Sequence, residues 1–351
     1  MIQSLEIANF RGFRQLALSN LPRFNILIGE SGTGKTAFLE ALWIQGGLSP
    51  EIYFRMRAFR GMAEQAMMVS DRRSYESFFS DIFYDPSIES GALIQIFDSG
   101  LGARSLNICY SGSSQATLNL QKPQPVTSGL HPLEFRWKVG ETEYVCPLQI
   151  APGGQIVVAN PPEPFPAVFL ASSLAISARE TAERLSLQNV EGKKEKIVNT
   201  IKRIYSDIRD LTSESIAGQQ MIWAYLKGLK QAIPLAVYSS GVNRLASVLL
   251  WISLNPGGVV LLDEAENGFY FLDYEKAFKA IVEFCDEYRV QLFASTHSKE
   301  YLKAIASALK DRETDLSMLK TKFHNGECGL RQIEGVSSIE AINQDIEIRL
   351  D

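Results

Sequence analysis

Residues 23–40, RFNILIGESGTGKTAFLE, decide the fold of this chain. The apolar run at 24–28 predicts a buried strand, which is followed by a glycine-rich loop and by a helix that begins near Lys35. The loop fits the pattern G-x-x-x-x-G-K-[ST] in the strand–loop–helix context that the pattern requires. Its eight residues are Gly29, Glu30, Ser31, Gly32, Thr33, Gly34, Lys35 and Thr36.

These residue types are those of a phosphate-binding loop. Glycines let consecutive backbone N–H groups turn toward a phosphate chain, and the helix N-terminus adds partial positive charge. The Lys35 ammonium can reach the terminal phosphates, and the Thr36 hydroxyl can ligate Mg²⁺. The alternative is a chance glycine-rich turn. We therefore predict a nucleoside triphosphate site whose cofactors are ATP and Mg²⁺.

Composition places the chain among ordinary soluble globular proteins. Of its 351 residues, 46% are hydrophobic and 21% are charged. The net charge of −5 argues against a surface that coats nucleic acid by itself, although a local basic patch stays possible. One such run is GKKEK at 192–196, which fits either a solvated helix end or a contact with a phosphate backbone.

Cysteine and histidine usage argues against a zinc site. The four cysteines have no C-x-x-C spacing and there are only three histidines, so free thiols in a reducing cytosol are expected. The N-terminus MIQSLEIANFRGF lacks the pattern of a signal peptide, and no apolar run approaches membrane-spanning length. These features predict a cytoplasmic protein with no membrane partner.

Hydrophobic periodicity predicts an α/β architecture. Strands are expected at 2–8 and 16–18, and mainly helical structure at 51–90, where the Met-rich stretch is expected to be core. Between about 91 and 170 the period changes to two, which predicts an antiparallel β region inserted in a parallel α/β frame. Its candidate strands are 92–97, 104–109, 116–120, 133–138, 143–149 and 155–158, with loops at 121–129 and 161–166.

The second half of the chain alternates helices and strands. Helices are expected at 175–212, 243–254, 273–287, from 298, and at 337–345; strands are expected at 220–226, 233–237, 259–262 and 291–295, with a hairpin near 324–329. We interpret 1–351 as one head with three sub-regions, namely 1–170 with the phosphate loop and the β insertion, a helical lobe at 171–238, and 239–351.

A nearly pure apolar strand at 258–262 ends in two acids, Asp263 and Glu264. Ligands of parallel sheets bind beyond the carboxyl ends of the strands. Asp263 can hold the Mg²⁺ that Thr36 also ligates, and Glu264 can orient or deprotonate the attacking water. The alternative is that the two acids only cap a strand.

Two further segments complete a candidate catalytic set. Ser239 to Gly241, just upstream of Asp263, opens a helix, where a serine hydroxyl and backbone N–H groups can form a second phosphate cradle; an ordinary serine N-cap is the alternative. This stretch resembles the ABC signature, which implies a head-to-tail dimer in which each signature closes the ATP of the other subunit. His297 ends the last apolar strand, where it is similar to the switch histidine of ABC-class ATPases; a bystander histidine is the alternative.

The order NFRGF, G-x-x-x-x-G-K-T, SSGVNR, LLDEAENG, STHS resembles the stand-alone ATP-binding proteins related to the OLD, RecF and SMC ATPases. The separation of 228 residues between Lys35 and Asp263 (263 − 35) is typical of that class. The resemblance implies a P-loop NTPase with an ABC/SMC-like head and a helical signature lobe. It also implies an ATPase whose ATP-driven homodimerisation controls a partner effector or nucleic acid, as in phage defence or DNA maintenance.

The chain departs from that family at several positions. Ser31 stands where Asn is common, and Phe269-Tyr270-Phe271 replaces a Leu-His-Pro-like run. No glutamine is assigned as the Mg²⁺-sensing residue. Only 54 residues follow His297 (351 − 297), too few for a nuclease domain, so any nuclease or toxin effector is expected to be a separate protein. There are two alternative interpretations: the ATPase subunit of a membrane transporter, and an ATP-gated scaffold with little turnover.

Overall fold

The computed structural model describes residues 1–47, 50–62, 72–85, 91–111, 133–150, 156–157, 165–172 and 177–343. Its strands are β1 (Ile2–Phe10), β2 (Phe13–Leu18), β3 (Phe24–Ile28), β4 (Ala92–Asp98), β5 (Gly102–Tyr110), β6 (Leu133–Val139), β7 (Thr142–Pro147), β8 (Gln149–Ile150), β9 (Ile156–Val157), β10 (Ala167–Leu170), β11 (Ile208–Ile216), β12 (Gln219–Leu226), β13 (Ile233–Pro234), β14 (Val259–Leu262), β15 (Gln291–Ser295), β16 (Leu316–His324) and β17 (Glu327–Glu334). Its helices are α1 (Lys35–Gly46), α2 (Glu51–Phe59), α3 (Arg72–Phe79), α4 (Ala178–Val190), α5 (Lys194–Ile204), α6 (Leu235–Tyr238), α7 (Ser240–Ser253), α8 (Tyr274–Glu287), α9 (Lys299–Ala308) and α10 (Gly335–Asn343).

The chain divides into two compact units, each assembled from separated stretches. The first contains Met1–Leu21, Gly29–Ala167 and Leu319–Gln332, and the second contains Pro22–Ile28, Val168–Met318 and Ile333–Asp351. The chain therefore enters each unit more than once. The strand β3 belongs to the second unit, although the segments before and after it belong to the first.

The first unit contains a six-stranded antiparallel sheet in the order β2-β1-β4-β5-β6-β7. Burial alternates along β4 with a period of two, because one face of the sheet packs on the core. The predicted antiparallel region is thus present in β4 to β7. The sheet also includes β1 and β2, since Ile7 on β1 pairs with Ile94 on β4.

Helices α2 and α3 bring an aromatic cluster into the first unit. The ring centroid of Phe79 lies 5.3 Å from that of Tyr53 and 4.8 Å from that of Tyr75, and all three side chains are buried. Such tilted aromatic pairs add to the burial of their apolar area. The predicted helical character of 51–90 is therefore found where the structure describes this region, while most of the Met-rich stretch, at 63–71, lies outside the described residues.

The second unit contains β14 and β15, whose bounds the sequence predicts. In it, β10, β14, β15 and β3 lie side by side in that order, and β14, β15 and β3 are parallel neighbours. In the register, Leu262 lies beside Ala294, and Ala294 beside Ile26. Every residue of these three strands is buried, which explains their continuous apolar sequences, because a parallel sheet is covered on both faces.

Two segments of the second unit differ from the sequence prediction. The helix expected to reach residue 212 ends at Ile204, and β11 begins at Ile208 because its residues pair with β12, as in the pair Leu211–Ala224. The strand expected at 233–237 is limited to β13. Pro234 has no N–H for a further ladder bond, and the chain continues as the short helix α6.

The last part of the described chain follows the prediction. Strands β16 and β17 form the expected hairpin, which turns at Asn325 and Gly326, both with positive φ, and α10 follows it. The predicted strand 116–120, the loop 121–129 and residues 344–351 lie outside the described residues, as does most of 161–166. Within the described ranges, no helix combines the length and the apolar character that crossing a bilayer demands.

Candidate nucleotide site

The predicted phosphate loop, Gly29 to Gly34, connects β3 to α1 and needs glycine at both of its ends. Gly29 has φ 141° and Gly34 has φ 99°. A Cβ on Gly29 would lie 2.5 Å from the carbonyl oxygen of Thr321, and one on Gly34 would lie 2.9 Å from Sγ of Cys328. Any larger residue at these two positions would therefore meet both a strained φ and a steric clash.

Side chains of the loop hold it in a defined shape. The Lys35 ammonium is buried and donates to the carbonyl oxygens of Gly29 at 2.9 Å and Glu30 at 2.6 Å. Thr33 Oγ1 donates to Glu30 O at 2.8 Å and lies 2.6 Å from Oγ1 of Thr321. Carbonyl and phosphate oxygens are both hydrogen-bond acceptors. The Lys35 ammonium can therefore exchange these carbonyl oxygens for the oxygens of a bound phosphate.

The remaining loop residues are accessible or lie at the start of the helix. The side chains of Glu30 and Ser31 are exposed, as is Gly32, and Thr36 lies half-buried in the first turn of α1. The first turn of a helix presents unpaired N–H groups and partial positive charge. The loop therefore has the features of an anion site, and its predicted residues are contiguous within the first unit.

Asp263, at the carboxyl end of β14, is buried and fixed by two serines. Its Oδ1 accepts from Ser295 Oγ at 2.6 Å and its Oδ2 accepts from Ser172 Oγ at 3.2 Å. Its backbone N–H donates to the carbonyl oxygen of Leu170 at 3.0 Å. Hydrogen bonds to a carboxylate are stronger than those between neutral groups, so the orientation of this side chain is well determined.

Glu264 has an unusual backbone conformation. Its φ is 46°, a region that non-glycine residues rarely adopt and that occurs often at functional sites. Ser295 stabilises this turn, since its Oγ accepts from the N–H of Glu264 at 2.8 Å and its carbonyl oxygen accepts from that of Ala265 at 2.9 Å. The half-buried Glu264 carboxylate accepts from Asn267 Nδ2 at 2.5 Å.

His297 lies beyond the carboxyl end of β15 with an exposed side chain. The preceding residue, Thr296, donates its backbone N–H to Leu27 O on β3 at 3.0 Å. Because β14, β15 and β3 are parallel neighbours, their carboxyl ends share one edge of the sheet. The second unit therefore brings Asp263, Glu264 and His297 to the edge of the sheet at which β3 ends.

The signature-like segment opens α7. Ser239 has an extended backbone, and its Oγ accepts from the N–H of Val242 at 3.3 Å, so within this chain it acts as an N-cap. Ser240 Oγ donates to Gly268 O at 3.2 Å, and a Cβ on Gly241 would lie 2.9 Å from that same oxygen. The segment is thus packed against the loop that follows the Asp-Glu pair.

Arg244, one turn further along α7, is a functional candidate that the sequence analysis missed. Its guanidinium is buried and donates from Nη2 to the carbonyl oxygen of Asp263 at 3.1 Å. Burial lowers the pKa of Arg244, and the negative charges of Asp263 and Glu264 act in the opposite direction. The arginine joins the signature helix to the residue that ends β14.

Ser295, Ser172 and Glu266 were also missed as site residues. Serine is common at strand ends and carries no spacing signal, so only the fold shows that Ser295 contacts both Asp263 and Glu264. Glu266 follows Glu264 by two residues, and its Oε1 accepts from the backbone N–H groups of His297 and Ser298. A third acid so near the Asp-Glu pair was the available signal.

The candidate metal ligands, Thr36 and Asp263, offer hard oxygen atoms, which suit Mg²⁺. Over the described ranges, no group of three or more His, Cys, Asp or Glu is arranged to hold a metal ion. Mg²⁺ commonly takes only one or two protein ligands and completes its shell with water and substrate phosphates. The donor chemistry of these residues therefore fits Mg²⁺ brought with a nucleotide.

The basic run at 192–196 is engaged in ion pairs. Lys193 contacts Glu191 at 2.7 Å, and Lys194 contacts Asp210 at 3.2 Å. Lys196 pairs with Glu287 of α8. These contacts favour the interpretation of this run as a solvated helix end, here the N-terminal end of α5, where surface ion pairs contribute little free energy.

Comparisons with known proteins give matches to ATPase families. A family model described as "AAA ATPase domain" matches residues 1–68, and one described as "AAA domain, putative AbiEii toxin, Type IV TA system" matches residues 167–302. A Helicobacter pylori protein named ATP/GTP phosphatase is 20% identical over 350 residues, which cover 89% of this chain and 90% of that protein. The DNA replication and repair protein RecF of Idiomarina loihiensis is 40% identical over 65 residues, 18% of this chain and 17% of RecF.

The fold has a counterpart among solved structures. An SMC head bound to the C-terminal winged-helix domain of ScpA matches with a TM-score of 0.51 and 13% identity, covering 95% of this chain and 97% of that one. The fold is therefore that of a P-loop NTPase head of the ABC/SMC type, as predicted. The family matches and this relative support an ATPase of the SMC/RecF/OLD-like type, and with it ATP hydrolysis as the activity.

Proposed function

We propose that this protein hydrolyses ATP, and that the residues of the phosphate loop and the residues at the carboxyl ends of β14 and β15 take part in the reaction. The supporting observation is that β3 ends at Ile28 on the same edge as Asp263, Glu264 and His297, and that the loop begins at the next residue. Such an edge is where ligands of parallel sheets bind.

Each residue has a proposed role. The N–H groups of 29–34 and the Lys35 ammonium offset the charge of the β- and γ-phosphates. Thr36 and Asp263 would hold Mg²⁺, which neutralises charge on the phosphate oxygens when it is bound. Glu264 orients or deprotonates the attacking water, and His297 donates a hydrogen bond toward the γ-phosphate.

We further propose that two subunits share two ATP molecules, with Ser239 and Gly241 of one chain facing the nucleotide of the other. At the start of α7, Ser239 is half-buried and Ser240 is exposed, and the partial positive charge of the helix N-terminus supports this role. In this proposal ATP-driven dimerisation controls a separately encoded effector or nucleic acid in the cytoplasm. The AbiEii and toxin–antitoxin description of the matching family model and the RecF match support a setting in phage defence or DNA maintenance.

Two substitutions test the site. Lys35→Ala should abolish ATP binding in calorimetry, because it removes the charge that faces the terminal phosphates. Glu264→Gln should retain binding but lower turnover by about 100-fold or more, because it removes the group that orients or accepts a proton from the water. Glu183→Ala, which removes only a surface ion pair with Arg179, is the matched control. Unchanged affinity in the first variant, or near-normal turnover in the second, would contradict the proposal.

The effector is sought by purifying the tagged protein from its native cell with the Glu264→Gln substitution, which favours the ATP-bound state. Wild-type protein and the Lys35→Ala variant are purified in parallel. A partner that is enriched only with the Glu264→Gln variant supports ATP-gated control. A partner recovered equally with all three variants would instead identify a constitutive complex.

A further inference from the structure

Glu266 contacts the segment that carries His297. Its Oε1 accepts from the backbone N–H of His297 at 2.8 Å and from that of Ser298 at 3.2 Å. Ser298 is the N-cap of α9 and accepts from the N–H of Tyr301 at 3.1 Å. A carboxylate in this position pairs with the N–H groups of the two residues before α9 and faces the partial positive charge of the helix N-terminus.

This contact matters because the imidazole has little other support. The His297 side chain is exposed, and its ring makes no hydrogen bond to any residue in the described part of the chain. The position of the imidazole therefore depends on the backbone of His297. Hydrogen bonds hold this backbone on one side through the N–H of Thr296, which donates to β3, and on the other side through Glu266. Without Glu266, the N–H of His297 would lose its acceptor, whereas the N–H of Ser298 would keep its hydrogen bond to Thr296 Oγ1 at 3.1 Å.

The surroundings of Glu266 show that this carboxylate is built into the fold. Its Oε2 is buried without a hydrogen-bond partner, and so are Nε of Arg244 and the hydroxyl of Tyr301. Burial, and next the charge of Glu266, raise the pKa of Tyr301, while burial lowers the pKa of Arg244 and the nearby carboxylates oppose that shift. The charge of Glu266 therefore acts on Arg244 of α7 and on Tyr301 of α9, in addition to the hydrogen bond from Arg244 to Asp263 O.

We infer that Glu266 is a positioning residue for His297, because its carboxylate fixes the backbone from which the imidazole reaches the reacting phosphate. The inference rests on the proposed function, which assigns His297 to hydrolysis. It separates the roles of two neighbouring acids: Glu264 acts on the water, and Glu266 acts through the histidine.

Kinetics of three variants of Glu266 test the inference. Glu266→Ala should lower kcat for ATP about 10- to 100-fold with KM within about twofold, as expected when a catalytic group is displaced by a fraction of an ångström to an ångström. Glu266→Gln should retain most of the activity, because its amide oxygen still accepts from both N–H groups. Glu266→Asp should lose activity, because its shorter side chain withdraws the acceptor.

The double variant Glu266→Ala/His297→Ala distinguishes positioning from a separate role. If Glu266 acts through His297, the double variant should be no slower than His297→Ala alone, since residues that act as a unit are non-additive. Multiplicative losses would overturn the inference. If His297→Ala lowers kcat and Glu266→Ala does not, only the inference about Glu266 is overturned. If His297→Ala has a normal kcat, the proposed role of His297 is overturned, and the positioning role of Glu266 with it.

Hydrogen exchange provides a readout that does not require turnover. In Glu266→Ala, amide exchange over 296–300 should accelerate, while in Glu266→Gln and in the surface control Glu183→Ala it should match the wild type. If Glu266→Ala does not fold, the Gln and Asp variants decide the question. The inference would be overturned if Glu266→Asp kept full activity and slow amide exchange while Glu266→Gln lost activity and exchanged fast. That result would show that the negative charge is required, rather than the geometry of the acceptor.

Discussion

Ser295 is the residue whose removal should disturb the candidate site most for the smallest chemical change. Its hydroxyl donates to Asp263 Oδ1 at 2.6 Å and accepts from the N–H of Glu264 at 2.8 Å, and its side chain is fully buried. Ser295→Ala deletes a single oxygen atom. The fold of β15 should persist, because alanine occupies less space than serine.

The magnitude follows from the two bonds. A hydrogen bond to a charged group contributes about 1.5–3 kcal/mol, and an N–H left without a partner adds a penalty of about 1 kcal/mol or more. We therefore expect a loss of roughly 2–4 kcal/mol in the free energy of unfolding, moderated by the bond that Asp263 keeps from Ser172. Turnover should fall at least about tenfold, because both acids lose the group that aligns them.

Denaturant unfolding and steady-state turnover measure the two effects. Ser253→Ala is the matched control, because Ser253 is also buried but its hydroxyl donates only to a backbone carbonyl oxygen of its own helix, at 2.9 Å. That control should lose about 1 kcal/mol and keep normal turnover. A Ser295→Ala protein that matches the control in stability and the wild type in turnover would refute the argument.

Two other predictions concern the phosphate loop and assembly. Gly29→Ala should weaken ATP binding at least about tenfold in calorimetry, because the added Cβ would meet Thr321 at 2.5 Å and the loop must shift; wild-type affinity would show that the loop tolerates this change. Mixing Lys35→Ala with Ser239→Arg should restore part of the turnover that each variant lacks, because their heterodimer has one intact composite site. Turnover and sedimentation are measured together, and the two-chain site is wrong if heterodimers form without regaining activity.

Much of the architecture could be predicted because its signals are local. The strands β14 and β15 were predicted with their observed bounds, since a strand buried on both faces is a short, continuous apolar run. The β11 segment was missed because its charged and apolar residues also fit the end of an amphipathic helix. Its pairing with β12 is a tertiary effect that overrides local propensity.

In the candidate site, too, contiguous motifs could be predicted and contacts between distant residues could not. The phosphate loop and the Asp-Glu pair are contiguous motifs whose residue types state their chemistry. The supporting groups are not contiguous: Ser295 lies 32 residues from Asp263 and Ser172 lies 91 residues from it, and each acts through one hydroxyl. Such contacts depend on which strands are neighbours in the sheet, and periodicity does not reveal that order.

The interleaving of the two units has a consequence for synthesis on the ribosome. Strand β3 pairs with β15 in a register that places Phe24 beside Leu292, so the partner strand is made 268 residues later (292 − 24). At about 5–20 residues per second, this delay is roughly 13–54 s. During that time the apolar run Phe24–Ile28 lacks the neighbours that bury it in the finished sheet. We expect the nascent chain to depend on chaperones over this interval, and any fragment that ends before β14 to expose a strand prone to aggregation.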